Sequence, residues 1–347
     1  MIIWIASYPK SGNTWIRSFL SSYIYNQGKN FNFEDLLKIR SFPSDKEINF
    51  LKKKFGNYKF THMAEYWDTF QKDIIKNKKN VFLKTHNAAI KIGNNIFANL
   101  DNCEGLIYVI RDPRDVILSY SSHLNLNVEK TFEIMKKEDL VEKTNDNDDR
   151  TLITSWKNHY NSWKHFPKNK ILIKYEDLID APYETFLKLF MFLNKIINTN
   201  IDNKLIQEAI NSVSFDKLQK LEDQSGFPEN RSLSKNHKFF KVGKKKQWIH
   251  ELDKYKYGVH LMRTHAAGTF ALNCAYLGIP CIGYQGLDTQ MLLHADLSVP
   301  IGDIAAARKI AEKLRKDEEF YLYCSNKAKE KYETFYHENK FYSSFKE

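Results

Sequence analysis

Residues 1–19, MIIWIASYPKSGNTWIRSF, run from an apolar stretch into Ser7-Tyr8-Pro9-Lys10-Ser11-Gly12-Asn13-Thr14-Trp15 and then into a helical pattern. Residues 2–7 read as a buried parallel strand and 13–26 as the helix that follows it. A strand that ends in a tight turn and starts a helix makes a good anion site. The first backbone N–H groups of the helix are unpaired, and the helix dipole adds about half a positive charge. In this turn Gly12 lets the backbone approach a ligand closely, and Lys10 adds a full charge. Ser11 and Thr14 add hydroxyls on either side of Asn13, and Trp15 offers a flat face for a base. A phosphate-rich nucleotide fits that set of groups. The lysine precedes the glycine and there is no first glycine, so the turn departs from G-x-x-x-x-G-K-[ST], which disfavours a P-loop kinase or ATPase. The alternative is an ordinary strand–helix turn with Lys10 in solvent.

Working outward, VFLKTH (81–86) is a second strand signal and GLIYVIRDP (105–113) a third, stopped by Pro113, with the helix DVILSYSSHL after it. KILIKYEDL (170–178) reads as a fourth strand, followed by a helical stretch at 182–193. Short strands alternating with helices predict an α/β fold, a central parallel sheet flanked by helices, with ligands beyond the carboxyl ends of the strands. TLITSWKNHYNSWKHF (151–166) reads as a connecting helix with Ile153, Trp156, Tyr160 and Trp163 on its core face, and EKTNDNDDR (142–150) as a surface loop. From Gly258 the character changes to a small-residue turn, a helix, a Gly-Ile-Pro corner, the strand IPCIGY, and helices at 304–316 and on to about 335. The expected division is 1–254 and a smaller α/β segment at 255–347, without internal repeats.

The formal charge of +11 suits nucleic acid, an anionic membrane surface, or small molecules bearing phosphate or sulfate. A solvated lysine surface explains it equally well. Cys103, Cys274, Cys281 and Cys324 form no C-x-x-C, so neither a disulfide framework nor a structural metal is expected. With no basic leader and no apolar run near the roughly 20 residues of a membrane span, the expectation is a cytoplasmic protein without a transmembrane segment.

YPKSGNTW resembles the 5′-phosphosulfate-binding loop of the cytosolic-type sulfotransferases, which use 3′-phosphoadenosine 5′-phosphosulfate (PAPS) and release adenosine 3′,5′-bisphosphate (PAP). The resemblance extends over roughly 1–252 and implies the P-loop-like sulfotransferase fold. VIRDPRDVILSY (109–120) resembles the family's 3′-phosphate motif, which maps the phosphate-binding arginine and serine onto Arg111 and Ser119. A guanidinium grips phosphate with a bidentate fork. A salt bridge from Arg111 to Asp112 or Asp115 is the structural alternative, and Arg114 is read as structural. KTH (84–86) resembles K-[ST]-H, whose histidine is the catalytic base; that role falls on His86. Its ordinary pKa near 6.5 suits proton removal near neutral pH. Lys84 points the same way from the pleat and stabilises charge on the transferring sulfonate, or caps a carboxylate.

YEDL (175–178) resembles a stretch whose tyrosine lies near the adenine, here Tyr175. SVSFDKL (212–218) resembles the segment whose aromatic packs on adenine opposite the loop tryptophan, which implies a clamp of Phe215 and Trp15. FFKVGKKKQW (239–248) resembles the loop F-x-R-K-G-x-x-G-D-W that closes over the 3′-phosphate. Gly243 and Trp248 align. Lys241 stands where arginine is usual, Val242 where lysine is usual and Lys246 where the second glycine is usual. Lys241 and Gly243 are the candidate contacts, with weaker cofactor binding than a bidentate arginine would give.

The function so implied is sulfuryl transfer from PAPS to a hydroxyl or amine of a small-molecule, lipid or glycan acceptor, by in-line displacement with a histidine base and no metal. Lys10 and Lys84 are counted with His86 in the catalytic set. The acceptor is expected to meet stretches at 27–75, 123–150 and 220–240, with aromatics such as Phe42, Phe60, Tyr66, Trp67 and Phe70. The tail HAAGTFALNCAYLGIPCIGYQGLDTQ resembles the second half of a GT-B glycosyltransferase nucleotide domain, in which a helix after Ala266-Ala267-Gly268-Thr269 faces nucleotide-sugar phosphates. Its remaining half is absent, so a docking or dimerisation element, or a fusion remnant, is expected. The alternative is a nucleotide-sugar or glycan-related binding protein, or a glycosyltransferase remnant, with a degenerate sulfotransferase half. Nucleic acid is not an expected partner.

Overall fold

The computed structural model describes residues 1–29, 31–143, 149–229, 238–240, 252–261 and 269–336. The chain forms two compact units, 1–245 and 246–347. The first is built on a 4-stranded sheet of β1 (Ile2–Ser7), β2 (Val81–Thr85), β5 (Cys103–Ile110) and β8 (Asn169–Lys174), ordered β2-β1-β5-β8. All neighbours are parallel, with Ile2 opposite Val81, Ser7 opposite Val109, and Ile110 opposite Lys174. Between β2 and β5 lie the short strands β3 (Lys91–Ile92) and β4 (Asn95–Ile96), and between β5 and β8 the hairpin β6 (Val141–Lys143) and β7 (Asp149–Leu152). The sheet is flanked by helices, so the expected α/β class is what the chain adopts.

β1 is buried along its whole length, and its alternation decides the layering. Ile3 and Ile5 face a core with Phe19 of α1 (Asn13–Asn26) and Phe186 and Phe190 of a later helix, Pro182–Ile197. The Phe19 and Phe186 rings stack with centroids 3.6 Å apart. Ile2, Trp4 and Ala6 face the opposite core, with Phe42, Trp67, Phe97 and Trp163. There the Trp4 indole N–H donates to Cys103 Sγ at 3.0 Å.

Several expectations are corrected. The fourth strand ends at Lys174, and Tyr175 begins the short helix Tyr175–Asp180. The ends of the polar stretch 142–150 pair in the β6–β7 ladder, and 144–148 lie outside the described residues. The connecting helix is Trp156–Lys164, because Thr154 takes a positive φ of 64° and the Ser155 hydroxyl caps the helix by accepting from Asn158 N at 3.3 Å. Its buried residues are His159 and Trp163, while Tyr160 is half-buried. Phe42, Phe60 and Trp67 are core side chains with relative exposures of 2%, 8% and 0%, so they do not line an acceptor surface.

The second unit has a 3-stranded parallel sheet ordered β11-β10-β9, from β9 (Gly258–His260), β10 (Cys281–Tyr284) and β11 (Ser298–Val299). Helices Thr269–Leu277, Asp288–Leu293, Ile304–Lys316 and Glu318–Phe335 accompany it. Among the described residues, no helix is long and apolar enough to cross a membrane.

Trp4 fills the middle of the second core, so Trp4→Ala should destabilise the first unit by about 3–5 kcal/mol, the usual cost of emptying a buried aromatic site. Denaturant unfolding should show a lower midpoint with an unchanged slope.

Candidate functional site

Parallel strands place all their carboxyl ends on one edge of the sheet. After β1 the chain goes to β2 on one side and then to β5 on the other, which makes the end of β1 a topological switch point. A residue singled out by the sequence follows each strand end. The turn 8–12 follows Ser7, His86 follows Thr85, Arg111 follows Ile110, and Tyr175 follows Lys174.

The turn is sharp because Lys10 and Gly12 both take left-handed backbone angles, φ 65° and 103°. A Cβ on Gly12 would also lie 2.6 Å from a Tyr175 ring carbon, so both conformation and space call for glycine there. The Asn13 carboxamide donates back to Ile5 O at 3.0 Å and Ser7 Oγ at 3.3 Å, so its side chain fastens the turn to β1. Gly12 O accepts from Trp15 N at 3.0 Å and Ile16 N at 3.3 Å, closing the first turn of α1. The amides before Trp15 are those that helix geometry leaves without carbonyl partners. Ser11 is buried, and its hydroxyl finds no hydrogen-bond partner among the described residues. Thr14 and Trp15 are half-buried.

Arg111 is buried and faces this turn. Its Nη1 donates to Lys10 O at 3.3 Å, and its guanidinium carbon lies 4.2 Å from the centre of the Tyr175 ring. Its contact with Asp115 is long, at 4.0 Å, whereas Arg114 and Asp112 form a close pair at 2.6 Å. Ser119 is half-buried on the helix Pro113–Leu124, four residues beyond Asp115 and so on the same helix face. Tyr175 meets Trp15 edge-on, with centroids 6.1 Å apart. Phe215, the first residue of helix Phe215–Ser225, packs against Phe240 at 6.1 Å. The rings in mutual contact are thus Trp15 with Tyr175 and Phe215 with Phe240. The Lys10 ammonium sits 3.5 Å from the centre of the Phe239 ring. Lys241, Val242, Gly243, Lys246 and Trp248 lie outside the described residues, as does Gly268 of the tail.

The His86 ring contacts Ser7 O at 2.7 Å through Nδ1, with Ser7 Oγ at 3.4 Å. A carbonyl can only accept, so Nδ1 carries the proton and Nε2 keeps its lone pair. Burial, and next the Lys84 charge, hold the His86 pKa well below the usual 6.5, so the ring is neutral at neutral pH. Lys84 is fixed through its backbone, donating to Arg40 O at 2.9 Å and accepting from Phe42 N at 2.8 Å.

The sequence reading passed over three residues here. His159, buried on the Trp156–Lys164 helix, donates from Nε2 to His86 O at 3.1 Å and accepts the Tyr108 hydroxyl at Nδ1, 2.9 Å away. Burial lowers its pKa to about 3. Its spacing from Trp163 puts a histidine on a core-facing stripe, a signal present in the sequence. The other two, Arg17 and Glu229, form a bidentate pair with both contacts at 2.8 Å.

These residues fit PAPS. A buried hydroxyl without a partner, spare helix amides and Lys10 gather at the turn, a buried guanidinium stands beside it, and aromatic rings flank it. The comparisons with known proteins agree. A sequence model described as the sulfotransferase domain matches residues 2–258. A flavonol 3-sulfotransferase of Flaveria bidentis is 26% identical over 263 residues, 71% of this chain and 75% of that protein. A luciferin sulfotransferase of Photinus pyralis is 25% identical over 232 residues, and the match spans 62% of this chain but only 56% of that protein. Among solved structures, retinol dehydratase in complex with retinol and PAP aligns with a TM-score of 0.48 at 19% identity, over 73% of this chain and 76% of that one. With the family's domain matched over most of its length, this chain belongs to the sulfotransferase family, and PAPS is its sulfuryl donor.

Proposed function

We propose that the chain transfers the sulfuryl group of PAPS to a hydroxyl or amine of a small-molecule acceptor, with His86 as general base. The observation that carries this reading is the meeting, at one sheet edge, of a donor-rich turn, a buried arginine and a neutral histidine with its Nε2 lone pair kept. PAPS supplies a sulfuryl group on a phosphate leaving group. The turn amides, Ser11, Thr14 and Lys10 hold the 5′ end and take up the negative charge that grows there on transfer. Arg111 and Ser119 hold the 3′-phosphate, together with Lys241 and Gly243 of the closing segment. Trp15, Tyr175 and Phe215 bound the adenine. His86 Nε2 takes the acceptor proton while Ser7 O holds the other ring nitrogen, and Lys84 stabilises the sulfuryl oxygens. The names of the flavonol and luciferin relatives favour a small molecule over a lipid or glycan as acceptor.

For the remainder of the chain we propose that residues 255–347 are a separate α/β element of non-catalytic role, related to the second half of a GT-B nucleotide domain. Its helix, strand and helix order supports that reading. A chain ending at residue 254 should still fold and bind PAP; loss of folding would join the two parts into one domain.

Calorimetry with PAP tests the donor site. Lys10→Ala and Arg111→Ala should each weaken binding by about 10- to 100-fold, the worth of a charge-assisted contact of about 1.5–3 kcal/mol. Gly12→Ala should weaken it comparably by displacing Tyr175. Wild-type affinity in all three would exclude this turn as the nucleotide site.

His86→Ala should keep PAP affinity and lose about 10²- to 10⁴-fold in turnover, as expected for a general base. Because the His86 pKa is depressed, the base stays deprotonated as pH falls through 6.5. A plot of kcat/KM against pH should therefore remain level through that value and decline only in more acidic solution. A decline centred at 6.5 or above would show that the group acting as base is not His86.

A further inference from the structure

The helix Phe215–Ser225 carries Phe215, Gln219, Glu222 and Asp223 on one face. Three of these side chains take hold of the consecutive residues 238–240. The two oxygens of Glu222 each accept one backbone amide, from Phe239 at 2.6 Å and from Phe240 at 2.9 Å. Gln219 Nε2 donates to Phe240 O at 2.9 Å, and Asp223 pairs with Lys238 at 2.6 Å. Glu222 is buried, and hydrogen bonds to an ionised acceptor are about twice as strong as neutral ones. Holding this backbone places two rings. Phe240 enters the core, 6.1 Å from Phe215, 5.3 Å from Phe227 and parallel to Phe33 at 5.8 Å. Phe239 is half-buried, meets His123 edge-on at 6.5 Å, and has the Lys10 ammonium 3.5 Å from its centre.

We propose that Glu222 is a positioning residue of the donor site. By clamping the amides of Phe239 and Phe240 it holds the Phe239 ring against the Lys10 ammonium, and so presents that charge at the turn. This rests on the reading of Lys10 as a donor-site charge. A lysine stem is among the side chains with most rotamer freedom to lose, and a ring face that attracts the ammonium removes part of that freedom in advance. A cation ordered beforehand beside the turn loses less on meeting the phosphosulfate end of the donor, so the clamp shows as nucleotide affinity. Glu222 acts through the ring, and the backbone contacts make the ring's place independent of the Phe239 side chain itself.

Two variants of the full chain test this. Glu222→Gln keeps the shape but turns an NH2 group toward a backbone N–H, and Phe239→Leu keeps apolar bulk without a ring. Each should weaken PAP binding in calorimetry by about 3- to 10-fold, the worth of ordering one long side chain. In a Lys10→Ala background neither should weaken it further, because the group they position is gone. NMR reads the position directly. The Lys10 ε-methylene signals, assigned by their loss in Lys10→Ala, should lie upfield in the wild type because an aromatic ring shields them, and should move back downfield in both variants. If Glu222→Gln does not fold, Glu222→Asp withdraws the carboxylate by one carbon and should show the same downfield move in smaller measure. Given that Lys10→Ala weakens PAP binding, wild-type affinity in either variant, or losses that add in full to that of Lys10→Ala, overturns the proposal. So does an ε-methylene signal that stays at its wild-type position in a folded Glu222 variant. If Lys10→Ala itself binds PAP as wild type does, the reading of Lys10 fails, and the NMR signals still decide whether Glu222 places the ammonium.

Discussion

The site depends on a turn that two residues hold in the left-handed region, Lys10 at φ 65° and Gly12 at φ 103°. Glycine adopts that geometry freely, but lysine does so at a cost of order 1–3 kcal/mol, so surrounding contacts must impose it. They are visible. The Asn13 side chain ties the turn to β1 at Ile5 and Ser7, Arg111 holds the Lys10 carbonyl, and the Tyr175 ring packs where a Gly12 side chain would be. Each of these partners comes from a different part of the chain, and each is delivered by a strand end or the helix start. The turn is therefore shaped by the protein's own contacts, which is the condition under which oriented amides stabilise charge most strongly.

Much of this was legible beforehand, for a physical reason. The IIWIAS strand is continuously apolar because both of its faces are buried, and continuous apolarity followed by Lys, Gly and Thr marks a parallel strand ending at an anion-binding turn. His86 and Arg111 follow strand ends that the same logic locates. What escaped has equally definite causes. KILIKYEDL was read as strand throughout, but Glu176 and Asp177 occupy the first turn of a helix beginning at Tyr175, where acidic groups complement the helix dipole. The hairpin of β6 and β7 carries mostly polar residues, so periodicity gave no sign of it. Glu229 lies in an irregular stretch and meets a partner 212 residues away. No local pattern encodes such a contact.

Two histidines at the site stay neutral for the same reason, removal from water, but to different effect. His159 spends both ring nitrogens on fixed partners, Tyr108 and the His86 carbonyl, and so is a structural strut. His86 spends only Nδ1 on the Ser7 carbonyl, which sets its tautomer. The two histidines are linked in series: His159 holds the backbone of His86, and Ser7 at the end of β1 holds its ring. The turn 8–12 starts at the next residue, so His86 and that turn share one frame across β1 and β2.

Lys10 rests on a ring that is itself held by a carboxylate. Its ammonium rests on the Phe239 ring, while the backbone amides of Phe239 and Phe240 donate to the Glu222 carboxylate at 2.6 and 2.9 Å. A cation on an aromatic face gains about 0.5–1 kcal/mol when exposed and about 2 when desolvated. A charge-assisted hydrogen bond to phosphate gains about 1.5–3 kcal/mol and adds Coulomb attraction between full charges. The ring is thus a weaker partner for the ammonium than a phosphate oxygen would be. Phe239 keeps the lysine ordered at the mouth of the site at little expense, and Glu222 keeps Phe239 in place because its two carboxylate contacts are to backbone.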